Sequence, residues 1–345
     1  MKSIDQLVRK NIASLVPYSS ARDEYSGEDA VFLDANENPF YTGMNRYPDP
    51  LQLKLKVRIG QLKNVHYENI FLGNGSDEPI DLLVRAFCDP GIDNVVSLRP
   101  TYGMYRVCAE ICNVEYRDTL LDKYFQLDTR AMLDLVDENT KLMFLCSPNN
   151  PTSNRLATED IAFLLESFDG IVVLDEAYSD FSGNTSFLSK LFSYPNLVIL
   201  QTFSKAWGMA GIRLGMAFAS REIVKVLTKI KYPYNINRLT QKFALERLDD
   251  ETEKNEWVKT ILTERTRLAS ELIKIRWVED ILPSDANFLM ARFKNPDRIL
   301  KYLTEHKIIV RDRSKLPLCE GFLRITVGTQ TENDLLIKAL KEYKG

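Results

Sequence analysis

Histidine is scarce in this sequence. The 345 residues contain only His66 and His306. Two isolated histidines cannot form a histidine-rich metal centre, and histidine is also the commonest general acid and base in enzymes. The sequence therefore predicts no metal site, and proton transfer must fall to another kind of side chain.

Cysteine pairs, long apolar runs and clusters of positive charge are lacking as well. The five cysteines show no Cys-x-x-Cys spacing and are odd in number, which is typical of reduced thiols in a cytoplasmic protein. The first twenty residues include several charged side chains and no continuous apolar stretch, so they predict neither a secretory signal nor a membrane span. A formal net charge of −3 and the lack of any run of five basic residues disfavour nucleic acid and membranes as partners.

Short apolar runs that end in polar residues are the main feature present. Residues 70–72, 142–146 and 171–174 form three such runs, and each leads directly into a polar segment. The runs are too short for helices and suit strands buried on both faces of a parallel sheet. Open α/β sheets bind ligands at the carboxyl ends of their strands. We therefore predict an α/β fold with a ligand site at one sheet edge, and the length predicts about two domains.

Residues 202–211, Thr-Phe-Ser-Lys-Ala-Trp-Gly-Met-Ala-Gly, contain the candidate nucleophile. They follow the apolar run 197–200 and are rich in small residues, so Lys205 lies where the backbone can turn tightly against a bound molecule. A lysine amine becomes nucleophilic when it is desolvated or held near another cation. Arg213 is the candidate for that second cation.

Residues 73–78, Gly-Asn-Gly-Ser-Asp-Glu, predict a phosphate site of a simple kind. The third glycine of a dinucleotide-binding G-x-G-x-x-G motif would fall at Glu78, and no G-x-x-x-x-G-K motif is present. What remains is a glycine turn into a helix whose first backbone N–H groups can hold a monophosphate. The amides of Ser76 and Asp77 are the predicted donors.

These pieces, in this order, resemble the fold-type-I pyridoxal-phosphate enzymes. Residues 202–211 match the class-II aminotransferase lysine signature, and further segments look like landmarks of the histidinol-phosphate aminotransferase family. These segments are 17–22, 45–48, 99–105, 146–152, 175–178 and 323–328. The resemblance implies a large domain (31–250) with a mostly parallel seven-stranded sheet between helices. It also implies an N-terminal arm (1–30) and a smaller α+β C-terminal domain (251–345).

The resemblance also implies a pyridoxal 5'-phosphate site. Lys205 would be the covalent anchor and general base, and Asp175 would face the ring nitrogen. Asn150 and Tyr178 would bond the ring hydroxyl, and Tyr102 would stack on the ring. The phosphate would be held by Ser204, Arg213, the amides of Ser76 and Asp77, and Tyr47 from the neighbouring subunit of a homodimer.

The implied reaction is transamination between histidinol phosphate and 2-oxoglutarate, giving glutamate, in histidine biosynthesis. Arg324 is bracketed by apolar residues, and a buried arginine needs an anion. The predicted substrate-binding residues are Tyr18, Asn36, Tyr234, Arg311 and Arg324. An aromatic or broad-range aminotransferase, a threonine-phosphate decarboxylase and, more remotely, a non-catalytic regulatory module remain as alternatives.

One residue departs from the family pattern. The family usually has glycine after Asn-Asn-Pro-Thr, and this chain has Ser153. If the position requires a positive φ, serine costs of the order of 1 kcal/mol there. We expect an effect on the loop geometry and none on Asn150.

Overall fold

A computed structural model describes residues 2–18, 31–183 and 186–345 of the protein, and the large sheet is its central feature. The strands are β1 (Ile70–Asn74), β2 (Asn94–Arg99), β3 (Glu115–Leu120), β4 (Thr140–Cys146), β5 (Ile171–Asp175), β6 (Leu197–Thr202), β7 (Leu214–Phe218), β8 (Val278–Ile281), β9 (Phe288–Phe293), β10 (Arg311–Asp312) and β11 (Phe322–Thr326). Seven of them form one sheet in the order β1-β7-β6-β5-β4-β2-β3. Only β7 runs opposite to its neighbours. The other six therefore end at one edge.

Helices cover both faces of this sheet and one face of a smaller one. They are α1 (Ile4–Leu7), α2 (Lys10–Ala13), α3 (Leu53–Lys63), α4 (Asp77–Phe87), α5 (Met104–Ile111), α6 (Thr129–Leu133), α7 (Thr158–Ser167), α8 (Arg221–Ile230), α9 (Arg238–Leu248), α10 (Thr252–Leu272), α11 (Pro296–Glu305) and α12 (Gln330–Glu342). Because β4, β5 and β6 are buried on both faces, their sequences are almost continuously apolar.

Alternate residues of the central strands supply two hydrophobic cores. Val172 and Leu174 of β5 face one core, and Ile171 and Val173 face the other. The second core is closed by α4, α5 and α8, whose apolar residues recur at helical spacing. These helices fix the strand ends at the edge where β1, β4, β5 and β6 terminate.

The smaller sheet is antiparallel, with the order β10-β11-β9-β8. Its core contains residues of α10, α11 and α12. A separate buried cluster, with Tyr178, Ala206 and Phe288 among its members, joins this part to the large sheet next to Lys205.

The predicted fold class is confirmed, with a mostly parallel seven-stranded sheet and a second, smaller sheet. The predicted domain boundaries at residues 30 and 250 stay predictions. In the predicted N-terminal arm the structure shows α1 and α2, and residues 19–30 of that arm lie outside the described residues.

Candidate active site

A cavity of about 240 Å³ lies at the edge where the strands end. It receives side chains from the carboxyl ends of β1, β4, β5 and β6 and from the amino end of β7. Since β7 is antiparallel, the residue that precedes it, Arg213, reaches the same edge. The predicted residues that line the cavity are Ser76, Asp77, Tyr102, Asn150, Asp175, Tyr178, Ser204, Lys205, Arg213 and Arg324.

Lys205 stands in the turn that follows β6. Its Nζ lies 5.5 Å from the ring centroid of Tyr178, and it forms no ion pair with any described carboxylate. The pKa of Lys205 is lowered, first because surrounding protein atoms desolvate the ammonium group and then because Arg324 is close. The side chain retains solvent contact through the cavity, so a bound molecule can reach its amine.

Asp175 is the last residue of β5 and is 3 % exposed. Its Oδ2 accepts a hydrogen bond of 2.7 Å from Tyr105 Oη, and its Oδ1 accepts one of 3.0 Å from the Ala177 N–H. Burial raises the pKa of Asp175 from 3.8 to about 6, while both hydrogen bonds oppose that rise. No described lysine or arginine pairs with this carboxylate, so its natural partner is a cation delivered by a ligand.

The opposite end of the cavity has the features of an anion site. Arg213 adopts a left-handed conformation (φ 53°) and brings its guanidinium against the backbone of Gly75. A Cβ on Gly75 would lie 2.6 Å from Arg213 Nη2, so only glycine leaves the guanidinium this position. The Ser76 side chain makes no hydrogen bond to the start of α4, whose first amides have no partner within the helix. Ser204 Oγ lies 3.5 Å from Arg213 Nη1.

Asn150 connects the two sheets at the cavity wall. Its Nδ2 donates a hydrogen bond of 3.4 Å to Tyr178 Oη, and its Oδ1 accepts one of 2.5 Å from Arg324 Nη1. Burial lowers the pKa of Arg324, which makes no ion pair with a described carboxylate. This wall therefore presents amide, phenol and guanidinium donors to the cavity.

Five predicted residues lie outside the cavity. Tyr18 is exposed and lines a separate groove, and Asn36 is exposed in a loop with φ 53°. Tyr47 and Tyr234 stack on each other with ring centroids 4.4 Å apart. Arg311 is exposed on β10, directly across from Arg324. The roles predicted for these five residues stay predictions.

Two residues of interest were missed by the sequence reasoning, Arg313 in the cavity wall and Tyr105 behind it. Arg313 lines the cavity, and burial and the nearby Arg324 lower its pKa. Its only sequence signal is its place two residues after Arg311, which puts both on the same strand face. Tyr105 looks like ordinary core on an apolar helix face, and nothing local marks its bond to Asp175.

The donor set of this cavity fits pyridoxal phosphate. Arg213, Ser204 and the first amides of α4 form an anion cradle around Gly75, where a side chain would displace the Arg213 guanidinium. Asp175, at the other end, is a buried carboxylate with no cation from the described protein. Lys205 stands between them with a lowered pKa. A ligand with a phosphate, a basic ring nitrogen and a carbonyl group satisfies all three features.

The sequence profile described as aminotransferase class I and II matches residues 33–340. With the fold and the cavity just described, this match defines the class: the chain belongs to the class I and II aminotransferases.

Several relatives are histidinol-phosphate aminotransferases by name. The histidinol-phosphate aminotransferase of Bacteroides fragilis is 56 % identical over 345 residues, with 100 % of both chains covered. The solved structure of the Clostridium acetobutylicum histidinol-phosphate aminotransferase has a TM-score of 0.80 at 25 % identity and covers 87 % of this chain and 90 % of its own. That of the Sinorhizobium meliloti enzyme, in complex with pyridoxal-5'-phosphate, has a TM-score of 0.79 at 26 % identity and covers 86 % and 82 %.

Proposed function

We propose that this enzyme transfers the amino group of histidinol phosphate to 2-oxoglutarate, forming glutamate, in histidine biosynthesis. The observation that carries the proposal is the pair Arg313 and Arg324, which face the cavity without an ion-pair partner among the described carboxylates. Histidinol phosphate has a phosphate ester where an ordinary amino acid has its α-carboxylate. One site must therefore accept a phosphate from one substrate and a carboxylate from the other, and guanidinium groups suit both anions.

The cofactor is pyridoxal phosphate, which supplies an electron-withdrawing ring that stabilises negative charge on the reacting substrate carbon. Lys205 would be the residue that holds it covalently, and its Nζ would be the base that takes the proton from that carbon. Asp175 holds a proton on the ring nitrogen, because a carboxylate favours a cation beside it. The lowered pKa of Lys205 leaves more of its amine neutral and able to accept a proton.

Residues at both ends of the cavity orient the bound molecules. Arg213, Ser204 and the amides of Ser76 and Asp77 hold the cofactor phosphate. Asn150 and Tyr178 bond the ring hydroxyl, and Tyr102 covers the ring. Tyr102 is fixed for this by a hydrogen bond of 3.0 Å from its hydroxyl to Asp77 Oδ1.

The active unit in this proposal is a homodimer in which Tyr47 reaches the partner's cofactor phosphate. Three features support it. Tyr47 does not line the cavity of its own protomer, and it is 50 % exposed. Large apolar side chains near the same loop are highly exposed, with Leu33 at 88 % and Phe40 at 78 %. Exposed apolar side chains in such numbers are typical of a surface that a second chain covers.

We also propose that the enzyme works in the cytoplasm. All five cysteines are unpaired, and four of them are buried. In the part of the chain that the structure describes, no helix is both long enough and apolar enough to span a membrane.

A single-turnover assay tests the substrate assignment. Cofactor-loaded enzyme is mixed separately with histidinol phosphate, glutamate, phenylalanine and phosphothreonine, with histidinol as the matched control that lacks only the phosphate. We expect histidinol phosphate and glutamate to react, and histidinol to react roughly 10- to 150-fold less efficiently for each charged hydrogen bond lost. Faster reaction of phenylalanine would assign the enzyme to the aromatic aminotransferases. Release of carbon dioxide from phosphothreonine would make it a decarboxylase.

A further inference from the structure

The side chain of Tyr105 is completely buried behind the cavity. It is 0 % exposed, and its ring stacks on Phe144 of β4 with centroids 4.9 Å apart and planes 8° apart. The ring edge also meets Tyr102, at 5.6 Å and 82°. These contacts hold the ring in place, and its hydroxyl donates a hydrogen bond of 2.7 Å to the carboxylate of Asp175.

Tyr105 supplies one of two hydrogen bonds that the protein donates to the Asp175 carboxylate. Tyr105 Oη donates a hydrogen bond of 2.7 Å to Oδ2, and the Ala177 N–H donates one of 3.0 Å to Oδ1. Each oxygen therefore has one protein donor, and the open side of the carboxylate faces the cavity. A hydrogen bond from a neutral phenol favours the ionised carboxylate over the protonated acid.

The geometry points to Tyr105 as a positioning residue that keeps Asp175 ionised and aimed at the ring nitrogen of the cofactor. Tyr105 touches neither cofactor nor substrate in this arrangement and acts only through Asp175. The inference rests on the proposed role of Asp175.

Other charged or titratable groups surround Asp175 and also affect its pKa. Asp77 at the start of α4 raises the pKa of Asp175, and Lys205 after β6 lowers it. Arg213, Arg313 and Arg324 line the same cavity and carry positive charge. The nearby phenols and thiol are neutral at physiological pH, and burial raises their pKa values further: Tyr102, Tyr105, Cys146 and Tyr178. Replacement of the Tyr105 hydroxyl alone leaves all the others in place.

The test is the pH dependence of cofactor binding to the full-length apoenzyme. The dissociation constant of pyridoxal phosphate is measured between pH 5 and 9 for wild type, Tyr105→Phe and Asp175→Asn. Tyr194→Phe is the matched control, because Tyr194 Oη bonds the Glu166 carboxylate at 3.3 Å on the surface. The cofactor's own titration is common to all four proteins, so differences between them report on the protein.

We expect wild-type binding to weaken on acidification with a midpoint near the Asp175 pKa of about 6. In Tyr105→Phe the midpoint should rise by roughly one unit, which weakens binding roughly twofold at pH 7 and roughly tenfold near pH 5. Tyr194→Phe should match wild type, and Asp175→Asn should lose this midpoint. An unchanged midpoint in Tyr105→Phe, with the midpoint lost in Asp175→Asn, would overturn the inference and leave the proposed function standing. Wild-type behaviour of Asp175→Asn would overturn both.

A second variant tests the inference even if Tyr105→Phe does not fold. Incorporation of 3-fluorotyrosine at position 105 makes the phenol a stronger donor with almost no change in shape. The midpoint should then move to lower pH, opposite to the change in Tyr105→Phe. A midpoint that stays in place or moves upward would contradict the inference.

Discussion

Arg324 Nη1 donates a hydrogen bond of 2.5 Å to Asn150 Oδ1, and this bond joins the small sheet to the large one at the wall of the cavity. Because the amide oxygen of Asn150 accepts this bond, its amide nitrogen faces Tyr178 and donates a hydrogen bond to the Tyr178 hydroxyl. A residue proposed to bind substrate thereby also sets the orientation of a residue proposed to bind the cofactor. Substrate contacts and cofactor contacts are therefore not independent at this wall.

Replacement of Arg324 by alanine should damage both half-reactions. The substitution removes a charged donor for the substrate anion and frees the Asn150 amide to rotate. We expect kcat/KM to fall roughly 10- to 150-fold with histidinol phosphate and with glutamate. Stopped-flow measurement of each half-reaction checks this. A loss confined to one substrate would contradict a shared anion site.

Arg311 on β10 and Arg313 just after it should differ in their effect on catalysis. Arg313 lines the cavity, whereas Arg311 is exposed and lies further along the same face. Arg313→Ala should lower kcat/KM for histidinol phosphate roughly 10-fold or more, and Arg311→Ala should have the smaller effect. Histidinol serves as the control substrate, because without a phosphate it should be less sensitive to Arg313→Ala. The reverse ranking would place Arg311 in the site.

The contribution of Asp175 to the free energy of unfolding of the apoprotein should fall as the pH rises. Its pKa is about 6 in the folded state against an unperturbed 3.8, so the folded state binds this proton more tightly than the unfolded state. Stability from this group is present below about pH 4 and is lost as the pH rises to 6. Between those values Asp175→Asn should gain up to about 3 kcal/mol relative to wild type. Urea unfolding of both apoproteins at pH 4 and pH 8 measures the change, and a constant difference would refute it.

Ser153 should be held in place by its hydroxyl. It is buried with φ 68°, and its Oγ lies 2.5 Å from Thr152 O and 3.2 Å from Pro283 O. Ser153→Ala keeps the unfavourable φ and loses the hydrogen bond, so it should cost about 1 kcal/mol. Ser153→Gly loses the bond but relieves the strain of about 1 kcal/mol, so it should lie near wild type. Denaturant unfolding of the three proteins would contradict this account if alanine were as stable as glycine.

Mixing two inactive variants tests whether Tyr47 acts across a dimer. In a heterodimer of Lys205→Ala and Tyr47→Ala, one site has both an intact lysine and the partner's intact tyrosine. Random reassociation should therefore restore about a quarter of wild-type activity in a symmetric dimer. If Tyr47 acts within its own subunit, no site is complete and mixing restores nothing. Lys205→Ala mixed with itself is the control.

The buried strands could be predicted because strands that are buried on both faces have nearly continuous apolar sequences. β4, β5 and β6 are enclosed on both faces, and no polar residue interrupts the apolar stretch through most of their length. The direction of a strand could not be predicted in this way. β7 is as apolar as its neighbours but runs the other way, because direction depends on the connection and on pairing across the sheet. The short β10 has no periodic signal at all.

The same limit applies to the site. Lys205, Asp175 and Asn150 follow recognisable strands, so the sheet alone brings them to one edge. Tyr105 and Arg313 are brought there by tertiary packing. The hydroxyl of a tyrosine on an apolar helix face has no visible partner in the sequence, and the choice between Arg311 and Arg313 depends on how far β10 extends toward the cavity.

The reversal of β7 also has a consequence for evolution of the chain length. β6 and β7 are adjacent, with Thr202 opposite Gly215, so residues 203–213 leave the sheet and return to it at one edge. This single loop sets how far apart Lys205 and Arg213 stand. One residue added or deleted here would alter the length of molecule that fits between the proposed covalent anchor and the proposed phosphate-binding arginine. The number of residues in this loop therefore matters for the proposed site as well as their identity.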